Sequence, residues 1–211
     1  MYLLTKELVF PNVDEADYDG LLAVGGDLSP ERLMLAYRNG IFPWFNADDP
    51  ILWWSPDPRM VLLFGNLIVS KSMRSILRKG TFQITFNQDF EGVISNCQKT
   101  DRKGQNGTWL TDKMKAAYLE LHRLGHAKSV ETWQNGELVG GLYGIDLGNV
   151  FCGESMFSKV SNASKAAFIV LAKKLESDNY RLIDCQIHND HLQSLGCSEI
   201  PRSLFLKALN L

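Results

Sequence analysis

Hydrophobic and polar positions fall into their most regular pattern between residues 128 and 154. Lys128-Ser-Val-Glu-Thr-Trp133 alternates as a strand does, Asn135-Gly136 is the pair a type I′ turn requires, and Leu138 to Ile145 reads as the returning strand. After a turn at Leu147-Gly-Asn149, a third run carrying Val150 and Phe151 is expected to end at Glu154. Ser161 and Asn162 can then accept hydrogen bonds from the first free N–H groups of a helix over about residues 163–175, with Phe168, Leu171 and Leu175 inward. Such a strand-to-helix corner would put N–H donors and a carboxylate at one sheet edge. Tyr180 to Ile187 predicts another buried strand, and a short helix near 189–195 stops at Gly196. A strand over 197–200 and a helix over 202–209 close the chain. This order predicts an α/β protein, a mixed sheet with helices packed on it.

Upstream, Met60 to Phe64 and Thr81 to Phe86 read as strands, and Phe90 to Cys97 as a helix. Thr111 can cap a helix in which Met114, Ala117, Tyr118 and Leu121 keep helical spacing until Gly125. The polar loop 99–107 carries the chain to Trp109, just before that helix. Residues 1–57 are rich in turn signals and predict one helix, capped by Ser29, begun by Pro30 and ended by Asn39-Gly40. The aromatic runs Ile41-Phe-Pro-Trp-Phe45 and Ile51-Leu-Trp-Trp54 follow it. Two readings stand for them: a plug that seals a core, or an indole wall on which a flat ligand stacks.

A second helix, Lys71 to Lys79, turns Met73, Ile76 and Leu77 inward. Lys71, Arg74 and Arg78 share another face with Lys79 beside them, and no acidic residue stands between positions 70 and 80. A solvated face and a phosphate-binding stripe are both compatible with that pattern.

Composition narrows the partners. Hydrophobic content of 45%, charged content of 22% and a formal net charge of -2 are those of a globular protein, so any nucleic-acid contact must be a local patch. Cys97, Cys152, Cys185 and Cys197 form no CxxC pair, which favours reduced thiols and a cytoplasmic home. No apolar run approaches the roughly 18 residues that a membrane span needs. His122 and His126 lie four apart, but Gly125 interrupts the helix, and no metal is expected.

Chemistry concentrates late in the chain. Glu154 closes an apolar strand and reads either as a cap for the following helix or as a site for a cationic group. Asp184 and Gln186 alternate along one strand, so both can project to one side. Cys152 and Cys185 sit in apolar runs without a flanking base and read as packing. His188 continues the alternation and reads as a surface histidine or as a base.

Gly26-Asp-Leu-Ser-Pro30, Gly40-Ile-Phe-Pro-Trp-Phe45, Trp53-Trp-Ser-Pro-Asp-Pro-Arg59, Gly107-Thr-Trp109, Leu138-Val-Gly-Gly141, Phe151-Cys-Gly-Glu-Ser-Met-Phe-Ser158, Asn162-Ala-Ser-Lys165, Ile183-Asp-Cys-Gln186 and Ser194-Leu-Gly196 stand in this order. Together these blocks resemble the leucyl/phenylalanyl-tRNA–protein transferase family over about residues 20 to 205. The resemblance implies a small N-terminal domain, about 1–57, followed by an N-acetyltransferase-like domain over 58–211. It implies transfer of Leu or Phe from Leu-tRNA or Phe-tRNA to proteins with N-terminal Lys or Arg, marking them for degradation.

On that resemblance Glu154 is an acceptor site and Asp184 and Gln186 form a relay. A carboxamide is a very poor base, so Gln186 is better read as positioning the amine, with Asp184 fixing its amide and supplying negative potential. The terminal adenosine is implied to stack between Trp44 and Trp109. Leu142, Phe151 and Met156 are candidates for the apolar pocket that the Leu or Phe side chain needs, and Lys71, Arg74, Arg78 and Lys79 for acceptor-stem phosphates. The segment 158–164 lacks the spaced glycines of a coenzyme A loop, which weighs against that molecule, and no cofactor is expected. A monomer is expected. The alternatives are an N-acetyltransferase using acetyl-coenzyme A and a non-catalytic RNA-binding module.

Overall fold

The computed structural model describes residues 1–100 and 110–210. Four short strands, β1 (Tyr2–Leu4), β2 (Leu21–Gly25), β3 (Phe42–Pro43) and β4 (Leu52–Trp54), make a small sheet in the order β1-β2-β4-β3. They occupy the stretch that the sequence pattern leaves as turns and aromatic runs. Strands this short carry too few residues to show a period of two. The expected helix is α1 (Pro30–Arg38), where the Ser29 side chain accepts from the Arg32 N–H.

A seven-stranded sheet takes the rest of the chain. Its strands are β5 (Arg59–Leu63), β6 (Gln83–Phe86), β7 (Ala127–Gln134), β8 (Glu137–Asp146), β9 (Val150–Ser158), β10 (Leu182–Gln186) and β11 (Ser198–Ile200), in the order β11-β5-β10-β9-β8-β7-β6. β9 and β10 run parallel; the other described pairs in this sheet are antiparallel. The helices are α2 (Lys71–Arg78), α3 (Phe90–Lys99), α4 (Asp112–Arg123), α5 (Ala163–Ser177), α6 (Asp190–Gln193) and α7 (Arg202–Asn210).

Alternation along the strands divides the core between the two faces of this sheet. Val61, Val150, Cys152 and Leu182 pack with α3, α4 and the small N-terminal sheet, so one apolar core runs across both sheets. Met60, Leu62, Phe151 and Ile183 turn the other way and pack with α2 and α5.

Two expectations at the centre of the chain are corrected. β9 does not end at Glu154 but runs on to Ser158, because a bulge at Glu154 lets the ladder with β8 continue. Asn162 does not cap α5 with its side chain; its backbone is left-handed, with φ 70°, and the Ser158 hydroxyl accepts from the Ser164 N–H instead. Among the described residues no helix is long and apolar enough to cross a membrane.

Candidate active site

The site lies where two parallel strands part. β9 and β10 pair from Leu182 opposite Val150 as far as Asp184 opposite Cys152, and then separate. Each strand carries an irregularity at the fork. In β9, Tyr143 faces Ser155 and Gly144 faces Gly153, which leaves Glu154 as the extra residue of a bulge. In β10 the register shifts between Asp184 and Gln186, and Gln186 sits at φ 66°.

The β9 bulge reverses the strand's alternation. Phe151 and Met156 are five positions apart and would face opposite ways in a regular strand, yet both pack on the α5 face. Glu154 points to the other face. There Tyr118 of α4 donates its hydroxyl to Glu154 Oε2 at 2.6 Å, and Gln186 Nε2 donates to Glu154 Oε1 at 2.7 Å. Tyr37 of α1 stands 2.7 Å from the Tyr118 oxygen; with the Tyr118 proton directed at the carboxylate, the Tyr37 hydroxyl donates to it. Burial, then the nearby Glu154 charge, raises both tyrosines well above the usual phenol range, so both remain donors. Burial also pushes the Glu154 carboxyl up to about 7, against the pull of the tyrosine and glutamine hydrogen bonds.

Asp184 departs from its expected role of orienting the Gln186 amide. It is fully buried and holds Arg59 through two hydrogen bonds, Nε to Oδ1 at 2.8 Å and Nη2 to Oδ2 at 2.7 Å. It reaches Gln186 through the backbone, accepting the Gln186 N–H at 3.0 Å, while Glu154 fixes the amide. Arg59 also donates to the Gly40 carbonyl at 3.1 Å and lies against the rings of Phe42 and Phe205. The negative potential assigned to Asp184 is therefore matched by a bidentate guanidinium.

A cavity of about 500 Å³ passes through the fork. Its lining takes Phe42, Trp44 and Tyr143 from the core beneath the small sheet and Phe151, Phe168, Leu171, Ile183 and Cys185 from the core beneath α5, with Glu154 also on the wall. Leu142 and Met156, opposite each other in the β8–β9 ladder, line it too, so the three pocket candidates are brought together. The aromatic cluster divides its labour. Trp53 is fully buried, with its indole N–H on the Gly25 carbonyl, whereas Trp44 is held by its backbone carbonyl to the Trp54 indole and borders the cavity. Trp109 lies outside the described residues.

Burial, reinforced by the Asp184 charge, raises the Cys152 thiol; the Cys185 thiol is raised by its hydrogen bond with Cys197 and by burial. Neither is poised as a nucleophile. His188 borders the cavity at 3.1 Å from Asp190. Among the described residues no group of three or more His, Cys, Asp or Glu side chains could hold a metal ion. Lys71, Arg74, Arg78 and Lys79 are not in the cavity. Lys71, Arg74 and Arg78 on α2 and Lys79 at its C-cap are exposed, α2 packs on α5, and no carboxylate pairs with the four among the described residues.

Tyr37, Tyr118 and Arg59 are neighbours of the candidate site that periodicity did not single out. Both tyrosines fall on the apolar stripes of their helices and read as core. Arg59 closes the Ser-Pro-Asp-Pro-Arg block, and that is the one signal that could have flagged it.

The structure thus sets a buried carboxylate at the fork of a mixed α/β sheet, with an apolar pocket beside it. The profile described as leucyl/phenylalanyl-tRNA protein transferase matches residues 61–210, and that of the family's N-terminal domain matches residues 26–57. The chain belongs to the leucyl/phenylalanyl-tRNA–protein transferase family and is an aminoacyltransferase. Proteins of that name from Flavobacterium johnsoniae and Christiangramia forsetii are 65% and 58% identical over 209 and 211 residues. Those alignments cover 99% of this chain and 99% and 100% of the relatives. A GCN5-related N-acetyltransferase from Kribbella flavida shares 10% identity at a TM-score of 0.39, over 81% of this chain and 60% of that one.

Proposed function

We propose that the protein transfers Leu or Phe from Leu-tRNA or Phe-tRNA to the α-amino group of proteins that begin with Lys or Arg. The observation that carries this reading is the Glu154 carboxylate at the fork, held by Tyr118 and Gln186 and bordering a cavity also lined by Leu142, Phe151 and Met156. The aminoacyl ester is already activated, so holding the amine in line with its carbonyl can supply roughly 7–11 kcal/mol of barrier reduction. The amine attacks the ester carbonyl, the C–N bond forms, and the bond to the ribose oxygen breaks. Glu154 binds the cationic acceptor, and a carboxyl titrating near neutrality is matched to take the proton the amine sheds and pass it to the departing ribose oxygen. Gln186 orients the amine. Leu142, Phe151 and Met156 hold the donor side chain, and Trp44 with Trp109 stacks the terminal adenosine, a contact worth about 1–3 kcal/mol per base.

Incubation with radiolabelled Phe-tRNA and two peptides, one beginning with Arg and one with Glu, tests the whole reading. Label is expected on the Arg peptide alone. Equal labelling of both, or none, would overturn it.

The α2 stripe is assigned to acceptor-stem phosphates, which hold the tRNA without reading its sequence. Replacing Lys71, Arg74, Arg78 and Lys79 by Gln should weaken aminoacyl-tRNA binding. The slope of log affinity against log salt should flatten by about 1 per lost phosphate contact. kcat at saturating tRNA should hold. An unchanged slope removes α2 from the interface.

A further inference from the structure

We infer that Gly153 sets the width of the fork: its missing side chain is the space through which the donor's acyl group enters the apolar pocket. The inference rests on the donor-pocket reading above. Glycines in the neighbouring strand have plain packing reasons. A Cβ at Gly140 would meet the Ala163 Cβ at 2.5 Å, and one at Gly141 would meet the Val130 carbonyl oxygen at 2.7 Å.

Gly153 has no such reason. A Cβ there would find the Asp184 carbonyl oxygen at 3.6 Å and the Ile183 Cγ2 at 3.9 Å, both ordinary contacts, and its φ lies outside the left-handed region. Glycine within a strand gives up about 0.5–1 kcal/mol relative to alanine. The fold therefore tolerates, and mildly favours, a methyl group at this position.

What a methyl would occupy is the cavity. Gly153 follows Cys152, the last β9 residue paired with β10, and precedes Glu154. It lines the channel, and its absent Cβ is aimed at Ile183, on the pocket side of the sheet. A donor whose side chain lies in the pocket while its carbonyl meets an amine at Glu154 must cross the sheet at this level. Its carbonyl carbon would then be displaced by a methyl at 153, and a misplacement of about 1 Å can reduce rate on the order of 10²-fold.

The test compares Gly153→Ala, Gly140→Ala and Leu171→Phe with the parent protein, using Phe-tRNA and a peptide beginning with Arg, with thermal unfolding of each. Gly153→Ala is expected to match or exceed the parent in Tm while kcat/KM for Phe-tRNA falls on the order of 10²-fold. Gly140→Ala should lose stability. If Leu171→Phe lowers kcat/KM and Gly153→Ala stays within about twofold of the parent, the role of Gly153 is overturned and the pocket stands. If neither changes activity, the pocket reading falls, and this inference with it. A Gly153→Ala protein that unfolds early would also overturn it, by showing that the glycine serves packing.

Discussion

Arg59→Met is expected to destabilise the protein by about 3–5 kcal/mol, because it leaves the fully buried Asp184 carboxylate without its partner. For a chain of this size that corresponds to roughly 6–20 °C in Tm. Loss of the hydrogen bond to the Gly40 carbonyl and of contact with Phe42 and Phe205 adds to the effect. The ion pair itself is weak evidence for stability, since a well-packed apolar pair can replace a buried salt bridge at little cost. Arg59→Met combined with Asp184→Leu should therefore regain much of the lost stability. Activity should not return, because Asp184 Oδ1 accepts the Gln186 N–H and so sets the backbone that aims the amide at Glu154. Calorimetry and transfer assays on the single and double variants check both halves. A single variant that loses under about 1 kcal/mol would show the pair to be dispensable.

The second large effect belongs to Glu154. Glu154→Gln should lower kcat/KM for acceptors beginning with Arg by roughly 10²–10³-fold, through loss of a charge-assisted contact and of a proton acceptor. In the parent protein the carboxylate form is the one that binds a cation. Activity should thus rise with pH through about 7, and the variant should lose that limb.

Stability runs the opposite way. The Glu154 pKa is raised in the folded protein from 4.5 to about 7, so the folded state holds its proton more tightly than the unfolded one. The associated stability is fully present below about 4.5 and is lost as pH rises through about 7. Glu154→Gln carries no such loss. Its advantage in unfolding free energy over the parent should grow between pH 5 and pH 8 by on the order of 2–3 kcal/mol. Its own amide can still accept from Tyr118 and, after the Gln186 amide turns over, donate to Gln186. Unchanged acceptor selectivity in this variant would remove Glu154 from recognition.

Much of this architecture is legible in the residues. The hairpin around Asn135-Gly136, the capped helices and the α5 stripe follow period and turn chemistry directly. What period cannot show is a change of period. The bulge at Glu154 costs one residue of register and swaps the faces of Met156 and Phe157, so the end of β9 looked like the end of a strand. At Gln186 a left-handed backbone breaks the alternation that made Asp184 and Gln186 seem to act together. Pairing across long separations is invisible to periodicity as well. Tyr37 and Tyr118 read as ordinary apolar-face residues until the fold brings their hydroxyls together.

The Arg59–Asp184 contact spans 125 residues of chain, and the Glu154–Gln186 contact spans 32. Contacts that close long loops form late, because the entropy of closing the loop must be met before the contact can stabilise anything. During synthesis, the small sheet, the hairpin and β9 can all precede β10, while Glu154 waits without Gln186. The site is thus expected to assemble only once β10 has joined the sheet between β5 and β9.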